Sequence, residues 1–399
     1  MTATWRLYAA IVKGAVLNLN QKILELFDKF DRGSFSSRNR FVRSATWLAG
    51  ADDETGEMSK AEMARHAEIA AGGAGVVITG GAYVSWDGKS LPRQWGLDSD
   101  ARIGDVAALA AAVHRSGSKL AVQICHSGGQ RRLRVASPRP LSPSGGVHPG
   151  CDIESEPLSL EEIARIRSDF VASALRAQKG GADAVEVHGG HGLLLTQFLS
   201  LLTNRRSDGY GGSFDNRMRI FREILSDIRS ALGERFPIWF KISIAEGTEQ
   251  GYKAEEGLRV AKALLRDGVS GIEVSSGTIY APALKSPSVV GISAGDSEAP
   301  FREYAAELKR FASHEQLIIL TGGLRSLPVM AGLHAIETCD LFGMSRPFNA
   351  EPDLVNRWYE EDSRPSACIS CNACFRTAEY GMVDCPVMRD RNEGFWDPL

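Results

Sequence analysis

The sequence lacks any run able to span a bilayer: its most apolar stretch, Ile69 to Val84, is Gly-rich and shorter than the roughly 20 residues a spanning helix needs. The apolar run Leu7 to Val12 is short and is followed at once by Lys13, so no signal peptide is expected and a cytoplasmic location is. Neither charge sign dominates. A formal net charge of −3 gives no general electrostatic reason to expect nucleic acid or a membrane surface as partner. Cysteine is scarce, 7 in 399 residues, which argues against a disulfide framework in such a location. There is no internal repeat beyond a βα period and no convincing Gly-x-Gly-x-x-Gly strand–helix element. The scarce cysteines are unevenly spread, however: four fall between Cys368 and Cys385.

What is present is an apolar content of 43% and a charged content of 24%, the balance of a globular enzyme with a large core. The length suits one large barrel with additions, and would also suit two ordinary domains. From about residue 39, short apolar runs alternate with amphipathic stretches. The runs 40–45, 75–79, 119–125, 184–188, 238–242, 271–275, 317–321 and 341–343 read as strands. The stretches 60–71, 101–116, 160–179, 216–232, 255–266, 302–312 and 327–333 read as helices, several closed by glycine. The strand runs are continuously apolar, as parallel strands buried on both faces require. The expected fold is α/β: a (β/α)8 TIM barrel over 31–360, with an N-terminal extension (1–30) and a Cys-rich C-terminal tail (361–399). The extension carries an expected amphipathic helix at 19–30. Residues 126–159, rich in Pro, Ser, Gly and Arg, read as a long structureless loop after the third strand, on the face where barrel active sites lie.

The chemistry concentrates in one segment, His188-Gly-Gly-His191-Gly-Leu193, which continues through Gln197, Asn204-Arg205-Arg206, Asp208, Tyr210-Gly211-Gly212 and Asn216-Arg217. His188 ends the fourth strand, so both histidines leave the barrel at its catalytic rim, where two imidazoles three residues apart can aim at one small anionic group. A metal pair or structural histidines are the bland alternatives. Gly322, Gly323, Gly343 and Ser345 follow strands seven and eight. Loops there commonly offer backbone N–H groups to a phosphate, and Arg346 would add a charge-assisted contact. Asn216 and Arg217 are expected to stabilise the loop and helix start.

These motifs together resemble the Old Yellow Enzyme family of FMN-dependent ene reductases, over about residues 26–358. The resemblance is carried by Asn39-Arg40-Phe41-Val42, Val122-Gln123-Ile124-Cys125-His126, the His188–Arg217 segment, Trp239-Phe240-Lys241-Ile242-Ser243, Leu320-Thr321-Gly322-Gly323 and Phe342-Gly343-Met344-Ser345-Arg346-Pro347, in that order. It implies FMN as cofactor, NAD(P)H as reductant and a small-molecule enone or enoyl substrate. His188 and His191 would hydrogen-bond the substrate carbonyl. Ala45, Thr46, Trp47, Gly81, Gln123 and Lys241 would stand at the flavin, with Lys241 on the side where a cation stabilises its reduced charge. Gly322, Gly323, Gly343, Ser345 and Arg346 would hold its phosphate. A homo-oligomer is expected. Two departures matter. Ala45-Thr46-Trp47 stands where the family usually has Pro, an apolar residue and Cys or Thr. Leu193 stands where it usually has a proton-donating tyrosine, and leucine has no proton to give.

The tail reads Cys368-x-x-Cys371-x-x-Cys374, ten residues, then Cys385-Pro386. Three cysteines at two-residue spacing and a distant fourth before proline suit a cubane iron–sulfur cluster. Four thiolates also suit zinc. The tail is similar to the cluster segment of the subgroup containing dienoyl-CoA reductases and trimethylamine dehydrogenases, which implies a [4Fe–4S] centre. Without a following nucleotide-binding element, electrons through it would need a separate electron-transfer protein. The alternative function is oxidation of a small amine or other organic donor, with electrons leaving through the cluster.

Overall fold

A computed structural model describes residues 19–131, 135, 138–283, 285–295 and 297–393. The run Leu7 to Val12 lies outside them. Eight parallel strands alternate with helices: β1 (Phe41–Arg43), α1 (Lys60–Ala71), β2 (Val76–Ile78), α2 (Ile103–His114), β3 (Lys119–Cys125), α3 (Leu160–Lys179), β4 (Ala184–Gly189), α4 (Phe214–Leu232), β5 (Ile238–Ser243), α5 (Ala254–Arg266), β6 (Gly271–Ser275), α6 (Arg302–Phe311), β7 (Leu317–Thr321), α7 (Leu327–Ala335), β8 (Leu341–Met344) and α8 (Leu354–Tyr359). Each strand pairs with the next, and β8 pairs with β1 to close the ring. The result is a (β/α)8 barrel.

The helices begin where the sequence supplies caps. Ser59 accepts from the Glu62 amide at the start of α1, Ser159 and Glu162 form a reciprocal capping box on α3, and Ser213 caps α4. Such caps satisfy the bare first-turn amides.

Two expectations need correction. The helix expected at 19–30 stops at Glu25, because Phe30 enters a hairpin instead. Phe30–Arg32 pairs antiparallel with Phe35–Ser37 through Gly33 at φ +55°. This hairpin shuts the barrel floor: Phe30 and Phe35 pack with Val42, Val76 and Trp239, and the Phe35 ring meets Trp239 edge-on at 4.8 Å. The loop 126–159 is also not structureless. It folds a small sheet from Leu141–Ser142, Gly146–Val147 and Glu154–Pro157, held by a Ser155–Ser142 hydroxyl bond of 2.8 Å.

The floor is apolar and the mouth is polar. Toward their C-terminal ends the strands bury Ser44, Gln123, Glu186, Lys241, Glu273 and Thr321. Charged groups enter a barrel interior only when they satisfy each other, so this layer locates the chemistry.

Candidate active site

His188 and His191 come together as expected. Their rings stand edge to face with centroids 4.8 Å apart. The turn between them has a specific cause: His191 is held at φ +61°, unusual for a residue with a side chain. Its amide donates to Ser243 Oγ at 2.9 Å, and its Nε2 lies 2.8 Å from Ser275 Oγ. His188 Nδ1 accepts from the Gly190 amide at 3.2 Å, which leaves the proton on Nε2. Burial, and then the nearby Lys241, pushes His188 down to about 3. Burial, and then His188, pushes His191 well down too. Both rings are therefore neutral at pH 7.

Beneath them lies a chain of buried bonds. Gln123 Nε2 donates to Glu186 at 2.6 Å, and Lys241 Nζ donates to Glu273 at 2.8 Å. Ser44 and Thr321 also give their hydroxyls to Glu273, at 2.9 and 2.6 Å. Two carboxyl groups thus share one lysine. Burial, and then Glu273, drives Glu186 well up, so Glu186 keeps its proton. Burial would raise Glu273 as well, but Lys241 outweighs it and Glu273 stays ionised. Glu186 and Glu273 were missed from sequence. The signal was there: a lone glutamate inside an otherwise apolar strand, in Val-Glu-Val and Ile-Glu-Val.

Gly322 (φ +115°) and Gly323 (φ +71°) turn left-handed after β7. A Cβ on Gly343 would stand 2.0 Å from Thr321 Oγ1 and 2.4 Å from Ser44 Oγ, so β8 can pass only as glycine. Thr46 Oγ1 and Ser345 Oγ are 2.6 Å apart, which joins the ends of β1 and β8. Gly81 packs on Gln123 and Cys125, and Ala45 packs against the floor cluster.

The sequence pattern of the NADH:flavin oxidoreductase / NADH oxidase family matches residues 25–363. The chain belongs to this family. An NADH oxidase from Thermoanaerobacter brockii is 34% identical over 354 residues, covering 87% of this chain and 52% of its own length. The structure of 2-naphthoyl-CoA reductase superposes with a TM-score of 0.83 over 94% of this chain and 58% of that one, at 24% identity, a likeness of fold alone. The 6-hydroxypseudooxynicotine amine oxidase of Pseudomonas geniculata N1 gives a TM-score of 0.80 at 26% identity over 94% of this chain and 56% of that one. The chain spans about half the length of these relatives.

Leu193 is buried at the start of the short helix Leu194–Leu199. Tyr280 packs edge-on against His148, and its hydroxyl donates to Glu246 at 3.0 Å, so it faces into the protein. The Tyr83 hydroxyl is buried beside Gly56 and Gly96 without an acceptor among the described residues. Neither tyrosine presents its proton to the histidine pair. Asn216 donates to the Gly211 carbonyl at 2.9 Å, and Arg217 to the Leu199 carbonyl and Glu256, both structural roles.

The four tail cysteines gather. Cys368, Cys371, Cys374 and Cys385 line one cavity with Arg346, Asn349 and Asn372. Among the described residues, no three His, Cys, Asp or Glu side chains are arranged to hold a metal ion. Trp47 and Arg346 turn to this side. Trp47 donates to the Pro92 carbonyl at 3.1 Å and packs with Cys374 and Val383. Arg346 donates to the Val289 carbonyl and Asn372 and lines the cysteine cavity. No helix among the described residues is long and apolar enough to cross a membrane.

Proposed function

We propose that this chain is an FMN-dependent ene reductase that takes electrons from NAD(P)H and reduces an activated C=C bond of an enone- or enoyl-type small molecule. The observation that carries the reading is the pair of neutral imidazoles fixed at the end of β4. Preorganised donors of this kind stabilise the negative charge that builds on a carbonyl oxygen as the neighbouring double bond is reduced. Because the rings stay neutral, they bind that oxygen without trading protons with solvent near pH 7.

Bound FMN supplies the hydride chemistry. The chain's residues fit it. Gly322, Gly323 and Gly343 form a cradle that a Cβ would fill or strain, and bare backbone amides in such a cradle suit a phosphate. Gln123 and Lys241 stand at the mouth for the polar edge of the ring, with Ala45, Thr46 and Gly81 beside it. Lys241, fixed by Glu273, keeps a cation where reduction adds negative charge. The test is anaerobic: NAD(P)H should bleach the bound flavin, and a simple enone should restore its colour. An enone that leaves the reduced flavin untouched overturns the reading.

For the tail, the reading is a [4Fe–4S] cluster on Cys368, Cys371, Cys374 and Cys385. Their lining of one cavity supports a shared metal–thiolate group, and the spacing of three cysteines two residues apart with a distant fourth before proline favours the cluster over zinc. Anaerobically purified protein should hold ~4 Fe and ~4 sulfides per chain, and Cys371→Ser should lose the iron while flavin remains. Stoichiometric zinc without iron would refute the cluster.

A second reading is favoured by one observation. Leu193 stands in place of the usual proton-donating tyrosine, and the Tyr280 hydroxyl is turned toward Glu246. Oxidation of a small amine or other organic donor needs no such donor, and its electrons would leave through the tail to a separate carrier protein. A donor that bleaches the flavin anaerobically, with no enone turnover, selects this direction. In either direction we place the enzyme in the cytoplasm, as a homo-oligomer.

A further inference from the structure

Three buried arginines stand at the cysteine cavity, Arg346 in its lining and Arg43 and Arg325 one hydrogen bond behind it, and none of them forms an ion pair among the described residues. Arg43 donates to the Ser345 carbonyl and, at 2.8 Å, to Asn349 Oδ1. Arg325 donates to the Cys368 carbonyl and Ser370 Oγ. Arg346 donates to the Val289 carbonyl at 2.9 Å and to Asn372 Oδ1 at 2.7 Å. All three are at least nine-tenths buried: Arg43 is 0%, Arg325 3% and Arg346 9% exposed. Dehydrating a guanidinium is costly, and oxygen dipoles alone offset the cost incompletely. Three such groups at one cavity call for a negative charge inside it.

A second observation points the same way. Asn349 is 4% exposed, and its buried Nδ2 meets no nitrogen or oxygen acceptor among the described residues; the polar group it acts on is the Cys374 thiol. The reason lies in Arg43. By donating to Asn349 Oδ1 it fixes the amide, so the opposite end, the NH2, is the one left for the cavity that Asn349 lines beside Cys374. A buried N–H directed at a thiol favours its thiolate form, the form that ligates a metal.

We propose that Arg43, Arg325, Arg346 and Asn349 are positioning residues for a net-anionic metal–thiolate group held by the four cysteines, and that they raise its reduction potential. This rests on the iron–sulfur reading of the tail. Cationic surroundings and N–H···S bonds favour the state with one more electron, so the cage sets the group up to accept electrons. The same two loops serve both ends of the site. Gly322 and Gly323 lie just before Arg325, and Ser345 just before Arg346, so the loops after β7 and β8 each present one side to the flavin cradle and the other to the cysteines.

The test uses the full chain with its flavin, purified anaerobically, and potentiometric titration followed by electron paramagnetic resonance for the cluster and by absorbance for the flavin. Arg346→Gln and Asn349→Leu should each shift the cluster midpoint to more negative potential. Arg346→Lys should restore most of the shift, and the flavin midpoint should move less than the cluster's. A cluster bound at wild-type stoichiometry with an unmoved midpoint in both variants overturns the cage. If one variant does not fold, the other decides. If wild-type protein binds no iron, the iron–sulfur reading falls separately. Cadmium–thiolate absorption then decides the cage: weaker cadmium binding in Arg346→Gln supports it, and equal binding overturns it.

Discussion

His191 Nε2 lies 2.8 Å from Ser275 Oγ, a bond that ties the left-handed residue at the end of β4 to the last residue of β6. It fixes the orientation of the His191 ring, on a backbone that stands at φ +61°. In the Old Yellow Enzyme family, phenolates bind over the flavin with a long-wavelength charge-transfer band. His188→Ala or His191→Ala should weaken phenolate binding by about 1.5–3 kcal/mol, the range for hydrogen bonds to charged groups. Ser275→Ala, which removes only the tether, should cost about 0.5–1.5 kcal/mol. Spectral titration with the phenol series measures all three, and unchanged affinity in both histidine variants would exclude the pair from the site.

His66 offers a stability test that needs no substrate. It is fully buried on α1, neither ring nitrogen has a partner among the described residues, and burial, then Arg43, pushes it down to about 3. The folded state therefore refuses a proton that the unfolded chain accepts near pH 6.5. Stability is full above that value and falls as the pH drops toward 3, with a slope of up to about 1.4 kcal/mol per pH unit from this group. His66→Leu should flatten the fall in Tm between pH 6.5 and 4.5, read by circular dichroism melts. An equally steep fall in the variant would assign the acid sensitivity to other groups.

Much of the barrel was legible because its signals are local. The stretch Lys119–Cys125 is continuously apolar after Lys119 apart from Gln123, and Leu160–Lys179 opens on a Ser-x-x-Glu box and closes on glycine. The floor hairpin was not legible, since strands of three residues around Gly33 carry no period. The histidine pair and the cysteine set were legible as residue types at fixed spacing. The directions of Trp47 and Arg346 were not, because the way a side chain leaves a loop depends on what packs against it, here the tail. Arg43 and Asn349 carried no motif at all. Their importance follows from a buried charge and a buried donor that only the folded contacts expose.

Gly343 is the sharpest test of the flavin cradle. A methyl there would stand 2.0 Å from Thr321 Oγ1 and 2.4 Å from Ser44 Oγ, and both hydroxyls also hold Glu273. Gly343→Ala should cost about 1–3 kcal/mol, as overpacking does, and should disturb the Glu273–Lys241 pair. Wild-type protein should release free FMN on acid precipitation, since the first strand offers no cysteine for covalent attachment. The variant should be purified with a lower flavin-to-protein ratio. FAD in the supernatant, flavin left in the pellet, or full flavin loading of Gly343→Ala would contradict this account.

The last prediction turns on Leu193. Ene reduction delivers a hydride to one carbon and a proton to its neighbour. The groups for polarising the carbonyl are in place, whereas Leu193 offers no proton and Tyr280 spends its hydroxyl on Glu246. We propose water, in place of a side chain of the 126–159 loop, as the source. A positioned general acid accelerates such a step by about 10²–10⁴-fold, so Leu193→Tyr should speed reoxidation of reduced flavin by a simple enone. The wild type should show the slower, water-dependent step, with a solvent isotope effect that the variant changes. Stopped-flow absorbance in H₂O and D₂O measures both. A wild type and a Leu193→Tyr variant that both fail with enones, beside an amine that bleaches the flavin, would overturn ene reduction and leave outward oxidation. In that case the leucine is no defect, because a reaction that removes hydride from its substrate has no carbon to protonate.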